Sequence, residues 1–146
     1  MLSHSGNDVV RIARGWLGTP YHHQASERGI GTDCLGLVRG VWRELYGTEA
    51  EAPSAYTRDW AEAAARETML EAASRHLVAG TPTEASAGDV LIFRLRPGFA
   101  AKHAGIVWGS DRMIHAMEGV AVSEIALSGW WRRRIAAVFS FPGIER

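Results

Sequence analysis

The sequence contains one cysteine, Cys34, together with six histidines that could act as its base. Nucleophilic catalysis by a cysteine needs a base within hydrogen-bond distance and a further group that orients the base. His103 and His115 lie in the half of the chain that is rich in predicted strands. They are the candidates for the base and for the group that orients it.

A lone cysteine is more often a small buried hydrophobic residue than a nucleophile. Cys34 differs because it falls in the first turn of the strongest predicted helix, at the edge of the apolar stripe of that helix. Unpaired backbone N–H groups and the helix dipole favour a thiolate over a thiol at such a position. The sequence therefore predicts that Cys34 is a reactive thiolate.

The spacing of the two strand histidines predicts an arrangement in which their side chains meet. If residues 109–111 form a three-residue hairpin loop, Gly105 pairs with His115. His103 then lies on the same face as His115, as a diagonal neighbour with Cβ atoms roughly 7–8 Å away. A two-residue loop would place the two side chains on opposite faces. The alternative of two unrelated strand histidines stays open at this point.

Cysteine and histidine are also zinc ligands, so a metal site is another possible use of the same residues. Short ligand spacings such as CxxC or HxxxH do not occur in the sequence. We therefore expect the site to act without a bound metal or cofactor.

Two helices are predicted in the first third of the chain. Apolar spacing over residues 5–17 predicts the first helix, and a loop follows over residues 21–32. The second helix is predicted over residues 33–46, where Asp33 is a good N-cap and Gly47 ends the apolar stripe. This second helix carries Cys34 at its start.

The rest of the chain changes from helical to strand character. Residues 57–79, rich in Ala and Glu, predict one or two further helices. Helices followed by strands favour an α+β fold with an antiparallel sheet. The predicted strands are Asp89–Leu95, His103–Trp108, Arg112–Ala116, Val120–Ile125 and Arg132–Phe139.

Length and composition favour a single globular domain over residues 1–146. The 16 basic and 16 acidic residues cancel, which argues against a nucleic-acid partner, and the run Arg132-Arg133-Arg134 is interpreted as a solvated strand end. One cysteine cannot form an intramolecular disulfide, and we expect no membrane insertion. The polar N-terminus lacks a signal-peptide pattern, so we expect synthesis in the cytoplasm.

Five segments of the chain resemble the NlpC-type cell-wall peptidases, a papain-like cysteine peptidase family. They occur in the family's order and at its usual spacings, across roughly residues 8–139. The variant is similar to the short form found in phage tail modules and phage-like gene transfer particles. The segments are Gly18-Thr19-Pro20-Tyr21, Asp33-Cys34-Leu35-Gly36-Leu37-Val38, Gly88-Asp89-Val90-Leu91, His103-Ala104-Gly105-Ile106-Val107 and Ile114-His115-Ala116.

The resemblance implies a role for each of five residues. Cys34 would be the nucleophile, His103 the general base and His115 the third polar residue. Tyr21 would help to bind the substrate or stabilise the oxyanion, and Asp33 would bind the free amine of a peptidoglycan stem peptide. Without the resemblance, Asp33 is interpreted as a helix cap and Tyr21 as a half-buried loop aromatic.

The implied reaction is hydrolysis of the bond between γ-D-glutamate and the diamino acid of the stem peptide. The implied fold is papain-like, with N-terminal helices and the cysteine helix packed on an antiparallel sheet of about five to six strands. The chain departs from the family in Leu35, where serine is usual, and in His22-His23-Gln24, which replaces an aromatic and glycine segment. These departures leave the preferred stem peptide open.

Three functions remain as alternatives. The first is an active peptidoglycan peptidase that joins phage-like tail proteins and opens the host cell wall from the particle. The second is a structural tail-tip component with masked or lost activity, in which Trp130-Trp131 could be interface anchors. The third is an amidase or acyltransferase, because this fold hosts several such activities.

Overall fold

The structure is a computed structural model that describes residues 4–50 and 67–145. In this part of the chain, helices come mainly first and strands follow. The elements are β1 His4–Ser5, α1 Gly6–Arg14, β2 Ser26–Glu27, β3 Gly31–Thr32, α2 Cys34–Tyr46, α3 Thr68–His76, β4 Val78–Ala79, a 3₁₀ turn Pro82–Glu84, β5 Val90–Phe93, β6 His103–Trp108, β7 Arg112–Met117, β8 Val120–Ala126, α4 Gly129–Arg132, β9 Ile135–Ser140 and β10 Ile144–Glu145.

The centre of the fold is a six-stranded sheet with the strand order β4-β9-β5-β6-β7-β8. Every neighbouring pair in this sheet is antiparallel. The predicted α+β class and the antiparallel sheet are therefore confirmed. No helix among residues 4–50 and 67–145 is both long and apolar enough to cross a bilayer.

Helix α2 begins and ends where the sequence predicts. The Asp33 side chain accepts a hydrogen bond from the Gly36 N–H, which caps the first turn. Gly47 ends the helix in the left-handed conformation, with φ 82°, which glycine adopts without steric cost. The buried stripe of α2 packs in the main core together with α1 and one face of the sheet.

Gly40 lets α1 and α2 approach each other closely. The ring of Trp16 lies where a Cβ atom on residue 40 would stand. Trp16 is almost fully buried, and its indole N–H donates to the Glu44 carboxylate at 2.9 Å. The contact fixes the orientation of the helix that carries Cys34.

The two faces of the sheet belong to two hydrophobic clusters, as expected from the alternation of side chains along strands. Ala104 and Ile106 of β6 pack with the helices in the larger cluster. Val107 of β6 packs in a second cluster on the opposite face. The other buried members of the second cluster are Leu91, Phe93, Met113, Leu127 and Val138.

Two predicted helices differ from the structure. The first ends at Arg14 instead of residue 17, because Gly15 closes it and turns follow, although Trp16 remains in the core. Val78–Ala79, predicted as the end of a helix, forms a strand that pairs with β9. This pairing joins residues far apart in sequence, which local periodicity cannot indicate. Residues 57–66 of the predicted helical region lie outside the described residues.

Three further segments also correct the sequence-based expectations. The strand predicted over Arg132–Phe139 begins at Ile135, because Gly129–Arg132 forms the short helix α4. The predicted loop over residues 21–32 contains the small hairpin β2–β3. The first described residues, His4–Ser5, pair in parallel with β10.

Candidate active site

The hairpin β6–β7 brings the two predicted histidines together. Its register pairs Gly105 with His115, as a three-residue loop over residues 109–111 requires. The Nε2 atom of His103 lies 2.8 Å from the Nδ1 atom of His115, and the two rings are nearly perpendicular at 84°. Only 5% of His103 and 3% of His115 is exposed. The predicted arrangement on a shared face is confirmed.

Cys34 lies at the first position of α2, directly beside the start of β6. Its thiol donates to the Lys102 carbonyl oxygen at 3.7 Å. The backbone N–H of Ala104, the residue that follows His103 in the chain, also lies against the sulfur. Lys102 and Ala104 flank His103 in the chain, so the Cys34 thiol lies beside the backbone at the start of β6. The thiol hydrogen bond goes to the Lys102 carbonyl rather than to the His103 ring, whose partner is His115.

The surroundings of the Cys34 thiol favour its protonated form. Burial is the main cause that raises its pKa to about 12, and the neighbouring Asp33 carboxylate raises it further. The backbone N–H groups of Ala104, Leu35 and Cys34 itself act in the opposite direction but do not outweigh burial. The N–H groups at the helix start thus favour the thiolate as expected, burial opposes them, and the predicted reactivity of Cys34 stays a prediction.

Both histidines are neutral in the folded protein. Burial lowers the pKa of His103 to about 3, with a smaller contribution from the adjacent His115. Burial also lowers the pKa of His115 to about 4. If His103 is to accept a proton at Nδ1, its Nε2 must carry the hydrogen and donate it to His115 Nδ1. The hydrogen bond between the rings fits this tautomer.

Asp33 is buried and is held by two backbone amides. One carboxylate oxygen accepts from the Gly36 N–H at 2.7 Å, and the other accepts from the Gln24 N–H at 2.8 Å. Asp33 thus caps α2 and ties the preceding loop to the start of that helix. Its predicted role in binding a substrate amine stays a prediction.

Tyr21 lies next to the segment that leads into Cys34. It forms an isolated parallel bridge with Thr32 and packs, half-buried, against the main core. Three residues later, Gln24 adopts φ 65°, a left-handed conformation that favours glycine. Tyr21 is thus near the start of α2, and its role toward substrate stays a prediction.

Two aromatic residues surround the histidine pair and were not identified from the sequence as part of the site. Phe93 of β5 pairs with His103 in the sheet, and their ring centroids are 5.9 Å apart. Trp131 of α4 contacts both histidine rings, at 5.5 Å from His103 and 5.3 Å from His115. The adjacent tryptophans at 130–131 are evident in the sequence. Their contacts with the histidines could not be predicted from it, because these contacts join segments that are distant in the chain.

Metal binding is not indicated by the described side chains. Within residues 4–50 and 67–145, no group of three or more His, Cys, Asp or Glu residues could hold a metal ion. What this part of the chain presents is a thiol, two neutral imidazoles and the backbone N–H groups of a helix start. These are the components for acyl transfer through a cysteine.

Comparison with known proteins gives the family. The NlpC/P60 family profile matches residues 18–139. A relative in Bacillus subtilis (strain 168), gamma-DL-glutamyl hydrolase, is 28% identical over 137 residues, which is 93% of this chain and 29% of the relative. A second relative, murein DD-endopeptidase MepS/murein LD-carboxypeptidase of Escherichia coli (strain K12), is 25% identical over 121 residues, or 82% of this chain and 54% of the relative.

The fold is also found among solved structures. The NlpC/p60 domain of the peptidoglycan hydrolase SagA superposes with a TM-score of 0.65 at 22% identity, covering 94% of this chain and 99% of that domain. The chain spans only 29% and 54% of the two curated relatives, so it corresponds to part of their length. Because the family profile covers most of the sequence and the fold agrees with it, the chain belongs to the NlpC/P60 family.

Proposed function

We propose that this protein is a cysteine peptidase that hydrolyses the bond between γ-D-glutamate and the diamino acid in peptidoglycan stem peptides. The observation that carries the proposal is the 2.8 Å hydrogen bond between His103 and His115 at the strand that Cys34 contacts. Family membership and two relatives named for glutamyl and murein hydrolysis support the choice of substrate.

The proposed reaction begins with attack of the Cys34 sulfur on the amide carbonyl carbon. As the S–C bond forms, the thiol proton passes to Nδ1 of His103, and His115 holds the imidazole through the Nε2–H. His103 then returns the proton to the leaving amine when the C–N bond breaks. Water hydrolyses the thioester with His103 as base and releases the carboxylate and free thiol.

Backbone N–H groups at the start of α2 would stabilise the oxyanion. The Gly36 N–H is taken by the Asp33 carboxylate, whereas the N–H groups of Cys34 and Leu35 lie against the sulfur. The carbonyl oxygen of a substrate attacked by this sulfur would come close to the same two groups. Tyr21, which forms a bridge with Thr32 directly before Asp33, is the proposed additional contact.

Leu35 sets this chain apart at the residue after the nucleophile. It lines an apolar cavity of about 230 Å³ between α2, α3 and the sheet, together with Val38 and Ala104. A serine hydroxyl at this position could hydrogen-bond a substrate, whereas a leucine side chain cannot. We therefore expect a stem-peptide preference that differs from that of serine-containing relatives.

The test is digestion of purified peptidoglycan, with the products identified by mass spectrometry. We expect fragments with a new γ-D-glutamyl carboxylate and a new free amine on the diamino acid. Cys34→Ala and His103→Ala should abolish release, while Arg11→Gln, on the exposed face of α1 and outside the site, should retain it. No fragments from the wild-type protein, or equal release by Cys34→Ala, would contradict the proposal.

We further propose that the protein acts from a phage-like particle, in contact with tail proteins, after synthesis in the cytoplasm. The support is the similarity of its sequence segments to the variant of the family found in phage tail modules. Mass spectrometry of purified particles from the source cells should detect the chain. Its consistent absence from such particles would refute this location.

A structural role with masked activity is the second candidate, and the surroundings of Cys34 favour it. Burial raises the pKa of this thiol to about 12, which disfavours the reactive thiolate form. Iodoacetamide alkylation distinguishes the two functions, because Cys34 is the only cysteine in the chain. A thiol that remains inert even with peptidoglycan fragments present would favour the structural role.

A further inference from the structure

Trp131 fills the corner between the two histidine rings. Its indole is tilted by 35° to the His103 ring and stands at 88° to the His115 ring. The two imidazoles are themselves 84° apart. The indole is therefore tilted toward the plane of the His103 ring and perpendicular to the His115 ring. This arrangement matches the nearly perpendicular orientation of the two hydrogen-bonded imidazoles.

A second aromatic side chain completes the enclosure of His103. Phe93 packs against the His103 ring at 5.9 Å and against the Trp131 ring at 5.1 Å. The His103 imidazole thus contacts Phe93 from β5, Trp131 from α4 and His115 from β7. Rotation of the imidazole about its side-chain bonds would have to displace one of these rings.

The position of Trp131 is set by contacts that do not involve the histidines. Arg132, the next residue, donates to the Leu127 carbonyl at 3.0 Å and to the Ser110 carbonyl at 2.9 Å. These bonds tie α4 to the β6–β7 hairpin loop and to the end of β8. On the outer side, Trp130 packs against Trp131 at 4.9 Å. The Arg132 side chain therefore fixes the backbone of α4 that carries the indole, and the Trp130 ring covers the outer side of the indole.

We propose that Trp131 is a positioning residue of this site, which holds His103 and His115 in their hydrogen-bonded geometry and excludes water from both rings. The inference rests on the proposed peptidase function for its catalytic consequence. The geometry and the neutrality of the two imidazoles can be measured without any substrate.

Loss of the indole should change the protonation of the pair. Burial is the main cause that lowers the pKa of both histidines, and Trp131 is half-buried between them and solvent. Water admitted by a smaller side chain would move both pKa values toward 6.5. The rings that contact the pair, Phe93 from β5 and Trp131 from α4, do not titrate. The nearest titratable groups on neighbouring elements are Lys102, which directly precedes His103, and the Cys34 thiol of α2, which donates to the Lys102 carbonyl.

The experiment compares Trp131→Leu and Trp131→Phe with the matched control Trp130→Ala, which changes a tryptophan of the same helix that is 43% exposed. The imidazole resonances are titrated by NMR in each folded variant, as judged by circular dichroism. We expect both wild-type imidazoles to stay neutral down to about pH 5 and both to titrate above it in Trp131→Leu. Trp131→Phe should shift in the same direction by less, and Trp130→Ala should match the wild type.

Kinetics supply the second measurement. With peptidoglycan fragments as substrate, Trp131→Leu should lower kcat by about 10-fold or more while KM changes by less than about 3-fold, because the residue does not contact substrate. A folded Trp131→Leu with wild-type titration would overturn the inference, and if that variant does not fold, wild-type titration of Trp131→Phe would do so. An inactive wild-type protein would refute the peptidase function while leaving the NMR result to decide the role of Trp131.

Discussion

Replacement of Asp33 tests whether its carboxylate supports the site through the two hydrogen bonds seen in the structure. The carboxylate is 4% exposed and accepts from the Gly36 N–H and the Gln24 N–H. Asp33→Ala removes both acceptors. Asp33→Asn keeps an oxygen for the helix cap but turns an NH₂ group toward the second backbone N–H. The two variants therefore separate the cap from the loop anchor.

The expected cost follows from these two bonds. Loss of an N-cap side chain costs about 1 kcal/mol. Leaving a partly buried backbone amide without its charged acceptor costs roughly 1–3 kcal/mol more. We therefore expect Asp33→Ala to lower the free energy of unfolding by about 2–4 kcal/mol, and Asp33→Asn to lose about 1–3 kcal/mol because its cap remains.

Asp33→Asn should also make Cys34 more reactive while it makes the fold less stable. The Asp33 charge raises the pKa of the thiol, so its removal should lower that pKa and increase the thiolate fraction at any given pH below it. Unfolding in urea measures the loss of stability. The rate of iodoacetamide alkylation, followed by intact mass, measures the reactivity of Cys34. Ser5→Ala is the control, because Ser5 caps α1 and should cost about 1 kcal/mol without a change in alkylation.

Two results would refute this account of Asp33. One is an Asp33→Ala variant with unchanged stability, and the other is an Asp33→Asn variant alkylated no faster than the wild type. The same variants test the predicted contact with a substrate amine. That contact predicts a larger loss of kcat/KM on peptides with a free N-terminal amine than on their acetylated forms, whereas a purely structural role predicts equal losses.

Three further predictions concern stability. Burial lowers the pKa values of His103 and His115 to about 3 and about 4 in the folded state. The unfolded chain therefore binds protons at these histidines first, as the pH falls below about 6.5. The free energy of unfolding should drop by about 2 kcal/mol per histidine between pH 8 and pH 5. Urea titrations should show this, and His115→Asn should lose about half of the slope. Gln24→Gly should raise stability by about 1 kcal/mol in the same assay, because it relieves a left-handed φ of 65°. Gly40→Ala should lower the melting temperature at a cost of about 1–3 kcal/mol, because its methyl group overlaps the Trp16 ring, and an unchanged melting temperature would contradict that packing.

The parts of the site that the sequence predicts well are those set by local rules. The start of α2 follows from Asp33 as a cap and an apolar stripe at helical spacing. The contact between His103 and His115 follows from the length of one hairpin loop, because strand pairing then fixes which side chains share a face. Each of these inferences uses residues close together in the chain.

The parts that the sequence does not predict depend on contacts between distant segments. Trp131 reaches the histidines only because α4 is tied to the hairpin loop more than twenty residues earlier. β4 is a strand only because β9 pairs with it at the edge of the sheet. The surroundings of the Cys34 sulfur follow the same rule, because Lys102 and Ala104, whose backbone lies against it, are far from it in the sequence.

The neutral resting site constrains how the proposed reaction can proceed. Burial raises the pKa of the Cys34 thiol and lowers the pKa of His103, so both shifts oppose proton transfer before substrate binds. In the proposed reaction the proton therefore moves as the S–C bond forms, and negative charge passes to the carbonyl oxygen. The N–H groups of Cys34 and Leu35, which lie against the sulfur, would then receive this charge. Burial of both imidazoles suits such a site, because His103 must be neutral to accept the proton and His115 must be neutral to accept the Nε2–H.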